Sequence, residues 1–292
     1  MRAVAIAGLL AGGLLAAAAQ AATSPALGAD PLPDRAHPAG MLQSEIPSGG
    51  ATMFGTYYRA AGAGAHPTVL LLHGLPGYEQ NGDIAQTLRR AGWNVLVFHY
   101  RGAWGSGGTF SFVNTVEDAQ AALAWLRAPA NADRLAVDAK RIVIVGHSMG
   151  GFVAATVAAR DPAVRGAALI SAWNPGTLAQ PGPQLEQAML EEFRGDVGPL
   201  AGASAEGLLA EARQHAAEWD LRGYGAALKE RPLLVAASDD FLHDDDLAVA
   251  AAWRKAGHAR VTTLQFKTDH AYSGQRIALQ AALLDWLAPL AR

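Results

Sequence analysis

An α/β fold, in which a mostly parallel twisted sheet is flanked by helices, is what this 292-residue chain predicts, on three observations. Short aliphatic and β-branched runs alternate with amphipathic stretches of helical length, the order of a sheet wound with crossover helices. The run from Arg141 to Gly146 is built on uninterrupted Ile and Val, as a strand buried on both faces requires. The composition, 51% hydrophobic and 17% charged with 32 Gly, 15 Pro and no Cys, suits a globular chain with a sizeable core. It excludes a disordered tail, a collagen-like rod and a disulfide-stapled miniprotein.

Taken in order, the chain starts with Arg2 and an uncharged run from Ala3 to Ala19, closing on Ala19-Gln20-Ala21, a small-x-small cleavage pattern. Residues 1–21 are therefore expected to be a signal peptide cut after Ala21, with the mature protein periplasmic or secreted. The run is mostly Ala and Gly, weakly apolar for a membrane span, so no stable span is expected after cleavage. Residues 22–47, rich in proline and without periodicity, read as an extended N-terminal arm. Residues 48–292 then form the domain.

Within it, Met53 to Arg59 and Thr68 to His73 read as strands, Asp83 to Ala91 as a helix, and Asn94 to Tyr100 as the next strand. Asn114 to Arg127 has helical spacing. Arg141 to Gly146 leads as a strand into the helix Met149 to Arg160, and Gly166 to Ala172 is another strand. Pro232 to Ala237 with Asp246 to Ala256, and Val261 to Phe266 with Gly274 to Leu290, complete two further strand-helix units. Between them, residues 176–231 are too long for a bare connection and carry helical spacing at Leu185, Met189, Phe193 and at Leu208, Leu209, Ala212. This insertion reads as a small helical lid.

A formal charge of -3 offers no cationic excess for phosphates, so nucleic-acid binding is set aside. Without cysteine there is no thiolate chemistry, and a structural zinc site has lost its usual ligands. The acidic run Asp244, Asp245, Asp246 lacks the spacing and glycine of a calcium loop and fits the start of a helix, where carboxylates meet the positive end of the dipole.

The chemistry centres on Gly146-His147-Ser148-Met149-Gly150, a G-x-S-x-G run between a buried strand and a helix. A serine that attacks a carbonyl must be lifted clear of the sheet, and a sharp turn does this only when its neighbours are small. Here the sequence resembles the α/β-hydrolase family, from about Thr52 to Leu290. The resemblance implies the matching fold with a serine-hydrolase site, in an esterase or prolyl-oligopeptidase-like branch. His73-Gly74-Leu75-Pro76-Gly77 matches the family's His-Gly loop, so Leu75 N–H and Met149 N–H are the implied oxyanion donors. Pro76 has no N–H to give.

The family order is Ser, acid, His. Ser238-Asp239-Asp240 ends one strand and Thr268-Asp269-His270-Ala271-Tyr272 follows the last, both at the carboxyl ends where open α/β sheets bind ligands. His270 is the candidate base. The resemblance implies Asp240 as the acid, since related chains place it at this offset from the small residue that closes the strand, here Ala237, while adjacent Asp239 stays open. His73 and His147 are assigned structural hydrogen bonds. Arg101-Gly102-Ala103-Trp104-Gly105-Ser106 resembles a family segment bordering the site, with Arg101 expected to tie neighbouring loops. Glu79 reads as a carboxylate at a helix start. Tyr78, Trp173, Phe241 and Tyr272 are candidate substrate-binding residues.

These residues imply two acyl transfers, Ser148 attacking after His270 takes its proton and Asp240 steadying the imidazolium, with no metal or organic cofactor needed. Activity is expected to fall below about pH 6, near the ordinary histidine value of about 6.5. The expected partner is a small-molecule ester or amide substrate. A carboxylic ester is preferred over a peptide because the sequence displays no basic cluster and no paired acidic site for an amino terminus. A serine peptidase or amidase on the same sheet is the alternative, followed by a non-catalytic binding protein. A dienelactone-type enzyme would need Cys as nucleophile.

Overall fold

A computed structural model describes residues 24–228 and 230–292. The expected signal peptide lies outside the described residues, as does the start of the arm. The apolar runs pair into one sheet of eight strands: β1 (Gly40–Ser48), β2 (Ala51–Arg59), β3 (His66–Leu72), β4 (Asn94–Phe98), β5 (Val137–His147), β6 (Ala167–Ile170), β7 (Leu233–Ser238) and β8 (Val261–Phe266). They lie in the order β1-β2-β4-β3-β5-β6-β7-β8. Neighbours from β4 to β8 are parallel, and β2 runs antiparallel to β1 and β4.

The helices are α1 (Gly82–Arg90), α2 (Phe112–Arg127), α3 (Pro129–Leu135), α4 (Met149–Arg160), α5 (Pro183–Asp196), α6 (Ala205–His215), α7 (Gly225–Leu228), α8 (His243–Lys255) and α9 (Arg276–Leu287). Alternation along the central strands builds two cores. Leu70, Leu72, Ile142 and Ile144 pack with side chains of α2, α4, α8 and the insertion. Val69, Leu71, Val143 and Val145 turn to the opposite face, against α1 and α9. Both faces are thus covered, which is why these strands read as continuous hydrophobic runs.

The arm departs from expectation, because its last residues form β1, hydrogen-bonded along β2. The inward positions of β1 are Ser44, Ile46 and Ser48, so its alternation carries two hydroxyls and is faint in a hydrophobicity pattern. The turn holds Gly49 at φ 53° and Gly50 at φ 79°, the two left-handed residues that a two-residue hairpin needs. Ser48 Oγ donates to buried Asp118 on α2 at 2.6 Å. Asp118 also pairs with Arg101 Nε at 2.5 Å, so Arg101 does tie neighbouring segments.

The insertion between β6 and β7 is helical, consisting of α5, α6, α7 and short 3-10 turns. Met189 and Phe193 face inward, whereas Leu185, one turn earlier, is left exposed. Glu211 on α6 accepts from the Phe112 and Val113 amides, at 2.7 and 3.2 Å, at the start of α2. Phe110 N–H to Ala201 O at 2.9 Å and Ala201 N–H to Gly102 O at 2.7 Å fasten the base of the lid to the glycine-rich segment. No helix among the described residues is long and apolar enough to cross a membrane.

Candidate active site

Strand β5 ends at His147, and the next residue, Ser148, has φ 56° and ψ −124° and stands at the N-terminus of α4. A non-glycine residue held there costs about 1–3 kcal/mol, which the packed surroundings must offset. The turn is tight enough that a Cβ on Gly146 would run into the Gly150 carbonyl, and one on Gly150 into the Leu72 carbonyl. A side chain at Gly146 would push the start of α4 away from β5, and one at Gly150 would push the turn away from β3. The sharp turn lifts Ser148 into a cavity of about 320 Å³ shared with Leu75, Met149 and His270.

The two loops beyond β7 and β8 meet at the same cavity. His270 Nδ1 donates to Asp240 Oδ2 at 2.6 Å. Asp240 is also held by Ser238 Oγ at 2.8 Å and by the Leu242 amide at 2.8 Å. Burial on its own would raise this carboxyl, but the hydrogen bonds from His270, Ser238 and Leu242 outweigh it and bring it down to about 2. It is therefore an anion wherever the protein is folded at ordinary pH. Asp239, by contrast, is exposed and uses its amide to bond Thr268 O at 3.0 Å.

With Nδ1 given to Asp240, His270 Nε2 is the ring atom left to exchange a proton. Among the described residues the ring makes no hydrogen bond to Ser148, a common state before substrate is bound. The amides of Leu75 and Met149 are likewise taken by no acceptor among the described residues. Around them, His73 Nδ1 donates to Gly74 O at 2.7 Å and Trp104 Nε1 to Pro76 O at 2.7 Å, fixing the loop that carries Leu75.

His147 packs its ring 4.6 Å from that of His270 and donates Nε2–H to the His270 carbonyl at 2.8 Å. Burial, followed by the neighbouring His270 charge, pushes His147 down to about 4, so the ring stays neutral. His73 is also lowered to about 4 by burial. Both histidines make the structural hydrogen bonds that their loops suggest.

Of the four candidate substrate-binding residues, Tyr78, Trp173 and Phe241 line the cavity. Tyr272 does not. It adopts φ 58°, which turns the chain just past His270, and its ring is fully buried in the core on the α1/α9 side. There its hydroxyl donates to Ala236 O at 2.7 Å and meets Ser171 Oγ at 3.1 Å. Glu79 lines the cavity while accepting from the Asn81 amide at 2.5 Å, a local turn bond ahead of α1. Sequence reasoning missed Met189, Glu192 and Asp196, which α5 brings over the cavity, and Phe112 beneath it. The i, i+4 spacing of Glu192 and Asp196 puts them on one side of a helix, but only the placement of α5 reveals where that side faces.

With this geometry in view, a family model described as the alpha/beta hydrolase fold matches residues 67–271. The chain belongs to the alpha/beta-hydrolase family. An uncharacterized Mycobacterium tuberculosis protein, from strains H37Rv and CDC 1551, is 33% identical over 114 residues. That match spans 39% of this chain and 39% of the length of the relative. Among solved structures, the thermostable carboxylesterase EstE1 from a metagenomic library is 24% identical with a TM-score of 0.59, over 88% of this chain and 91% of that one. A Pyrobaculum calidifontis esterase is 22% identical with a TM-score of 0.61, over 88% of each chain. A Pyrococcus furiosus esterase is 20% identical with a TM-score of 0.64, over 87% of this chain and 92% of that one. At such identities the likeness is one of fold, and this alpha/beta hydrolase must be read from its own cavity.

Proposed function

We propose that the protein is a serine hydrolase that cleaves a carboxylic ester through an acyl-enzyme. The carrying observation is the Asp240–His270 hydrogen bond, which orients the imidazole in the cavity where the strained turn presents Ser148. Ser148 Oγ attacks the ester carbonyl carbon as its proton passes to His270 Nε2, and the oxyanion settles between the Leu75 and Met149 amides. The C–O bond to the alcohol then breaks, and the imidazolium gives its proton to the departing oxygen. Water, deprotonated by the same nitrogen, attacks the acyl-enzyme and frees the acid and Ser148. Asp240 stays ionised throughout and stabilises the transient imidazolium.

An ester is favoured because Phe112, Trp173, Met189 and Phe193 give the cavity an apolar wall, and because the structural neighbours above include esterases. The N-terminal pattern adds the proposal that the enzyme acts after export, in the periplasm or outside the cell. The test is hydrolysis of p-nitrophenyl acetate and butyrate beside aminoacyl anilides, by wild type and Ser148→Ala. Ester turnover that disappears in the variant is expected. Equal turnover in both proteins would remove Ser148 from the mechanism, and faster anilide cleavage would move the assignment to a peptidase.

A further inference from the structure

We infer that the substrate carries an alkylammonium group, received by Glu192 and Asp196 on the face of α5 that covers the active-site cavity. This rests on the hydrolase reading of the same cavity and adds the class of substrate. Both carboxylates line the cavity together with Ser148 and His270, and no Lys or Arg among the described residues lines it. Every other acidic side chain on α5 and α6 has a partner. Glu186 pairs with Arg213 and Glu206 with Arg194. Glu191 accepts from Gln187, and Glu211 accepts from the amides that open α2. Glu192 and Asp196 alone on these helices make neither an ion pair nor a side-chain hydrogen bond among the described residues.

A second feature of the cavity wall points the same way. His147 lines the cavity, is 5% exposed, and gives its Nε2–H to the His270 carbonyl, so Nδ1 is a lone-pair acceptor. That nitrogen has no hydrogen-bond partner among the described residues. His147 Nδ1 and the two α5 carboxylates are acceptors from two separate elements, to which a protonated amine offers donors as well as charge, while the donors left unpaired among the described residues are Trp173 Nε1 and the Leu75 and Met149 amides. Glu79, held by the Asn81 amide, also lines the cavity, and Phe112, Trp173, Met189 and Phe193 give it an apolar wall suited to an alkyl stem. Partial desolvation raises the Glu192 carboxyl although the residue keeps an exposed surface, the nearby Asp196 charge raises it further, and burial raises half-buried Asp196. A bound cation would relieve both effects.

Two isosteric substrate pairs test this. On the acyl side, p-nitrophenyl 6-aminohexanoate is compared with p-nitrophenyl heptanoate. On the alcohol side, 6-aminohexyl butyrate is compared with heptyl butyrate. Wild type should favour the ammonium member of at least one pair about tenfold or more in kcat/KM, and Glu192→Gln/Asp196→Asn should bring that ratio below about twofold. Glu191→Gln, which removes one charge on the same helix away from the cavity, should keep the wild-type ratio.

Binding of n-pentylammonium to Ser148→Ala, measured by calorimetry, gives a readout independent of turnover. It should weaken about fivefold or more when both carboxylates are neutralised, while n-pentanol binding in the folded variant shows that the cavity persists. Absence of an ammonium preference in both pairs, or a preference that survives the double substitution, overturns the inference. Ser148-dependent hydrolysis of the neutral esters would then leave the hydrolase reading standing. If no ester is cleaved, that reading fails, and pentylammonium affinity decides alone: unchanged or undetectable binding overturns the inference, and carboxylate-dependent binding upholds it.

Discussion

A serine hydroxyl has little nucleophilicity at neutral pH, so the account depends on what surrounds residue 148. The backbone is strained there, Gly146 makes room for the start of α4, and Gly150 lets the turn close against β3. Among the described residues the imidazole ring is hydrogen-bonded by Asp240 and not by Asp239, which is exposed. Asp240→Asn should therefore lower ester kcat/KM by about a hundredfold or more through loss of the required tautomer, while Asp239→Asn stays within about threefold. Equal losses in the two variants would contradict the assignment. Tyr272→Phe should cost about 1 kcal/mol in urea unfolding, the worth of a buried hydrogen bond, and leave KM for p-nitrophenyl butyrate unchanged. A large rise in KM would return Tyr272 to the cavity. At this scale, residue type and strand-end position made Ser148, His270 and Asp240 legible as candidates. The direction of Tyr272 was not legible, because it depends on a left-handed backbone angle that spacing does not encode.

The elements that were easiest to read are the ones buried on both faces. β5 and β3 lie in the middle of the sheet, and their side chains must be apolar whichever face they turn to. β1 was hidden for the opposite reason: it is an edge strand, with serines at two of its three buried positions. The Gly49-Gly50 turn was the available signal for it. Buried Asp118 holds this hairpin through Ser48 and pairs with Arg101. Asp118→Ala leaves the largely buried Arg101 guanidinium with only exposed Glu117 as an anionic partner, and should destabilise the fold by about 3–5 kcal/mol. The drop is measured by urea denaturation, and a loss below about 1 kcal/mol would show that the hairpin is held by its strand pairing alone. The lid was readable as helices, but its orientation, and with it the placement of Glu192 and Asp196 at the cavity, follows from contacts made with α2 and the glycine-rich segment far away in sequence.

Across the molecule, the two buried histidines of the site loops set a direction for acid sensitivity. His73 and His147 are each lowered to about 4 by burial, whereas an unfolded histidine titrates near about 6.5. Between those values the unfolded chain binds more protons, so stability is full above about pH 6.5 and falls as pH drops toward about 4. Asp240 acts in a lower window. Its folded value of about 2 lies below the ordinary carboxylate value of about 3.9, so its contribution is present above that value and is lost as pH falls toward 2. Unfolding free energies measured from pH 7 to pH 4 should decline, and His73→Asn should show the shallower slope. An unchanged slope would exclude His73 as a source of the decline.

The central claim is that Ser148 is the activated nucleophile, and covalent trapping tests it most directly. Wild-type protein treated with diethyl p-nitrophenyl phosphate should gain one diethylphosphoryl group, located by peptide mass spectrometry on Ser148, and the adduct should form at least about a hundredfold more slowly in His270→Ala. An adduct on another residue, or equal labelling rates with and without the imidazole, would contradict the account.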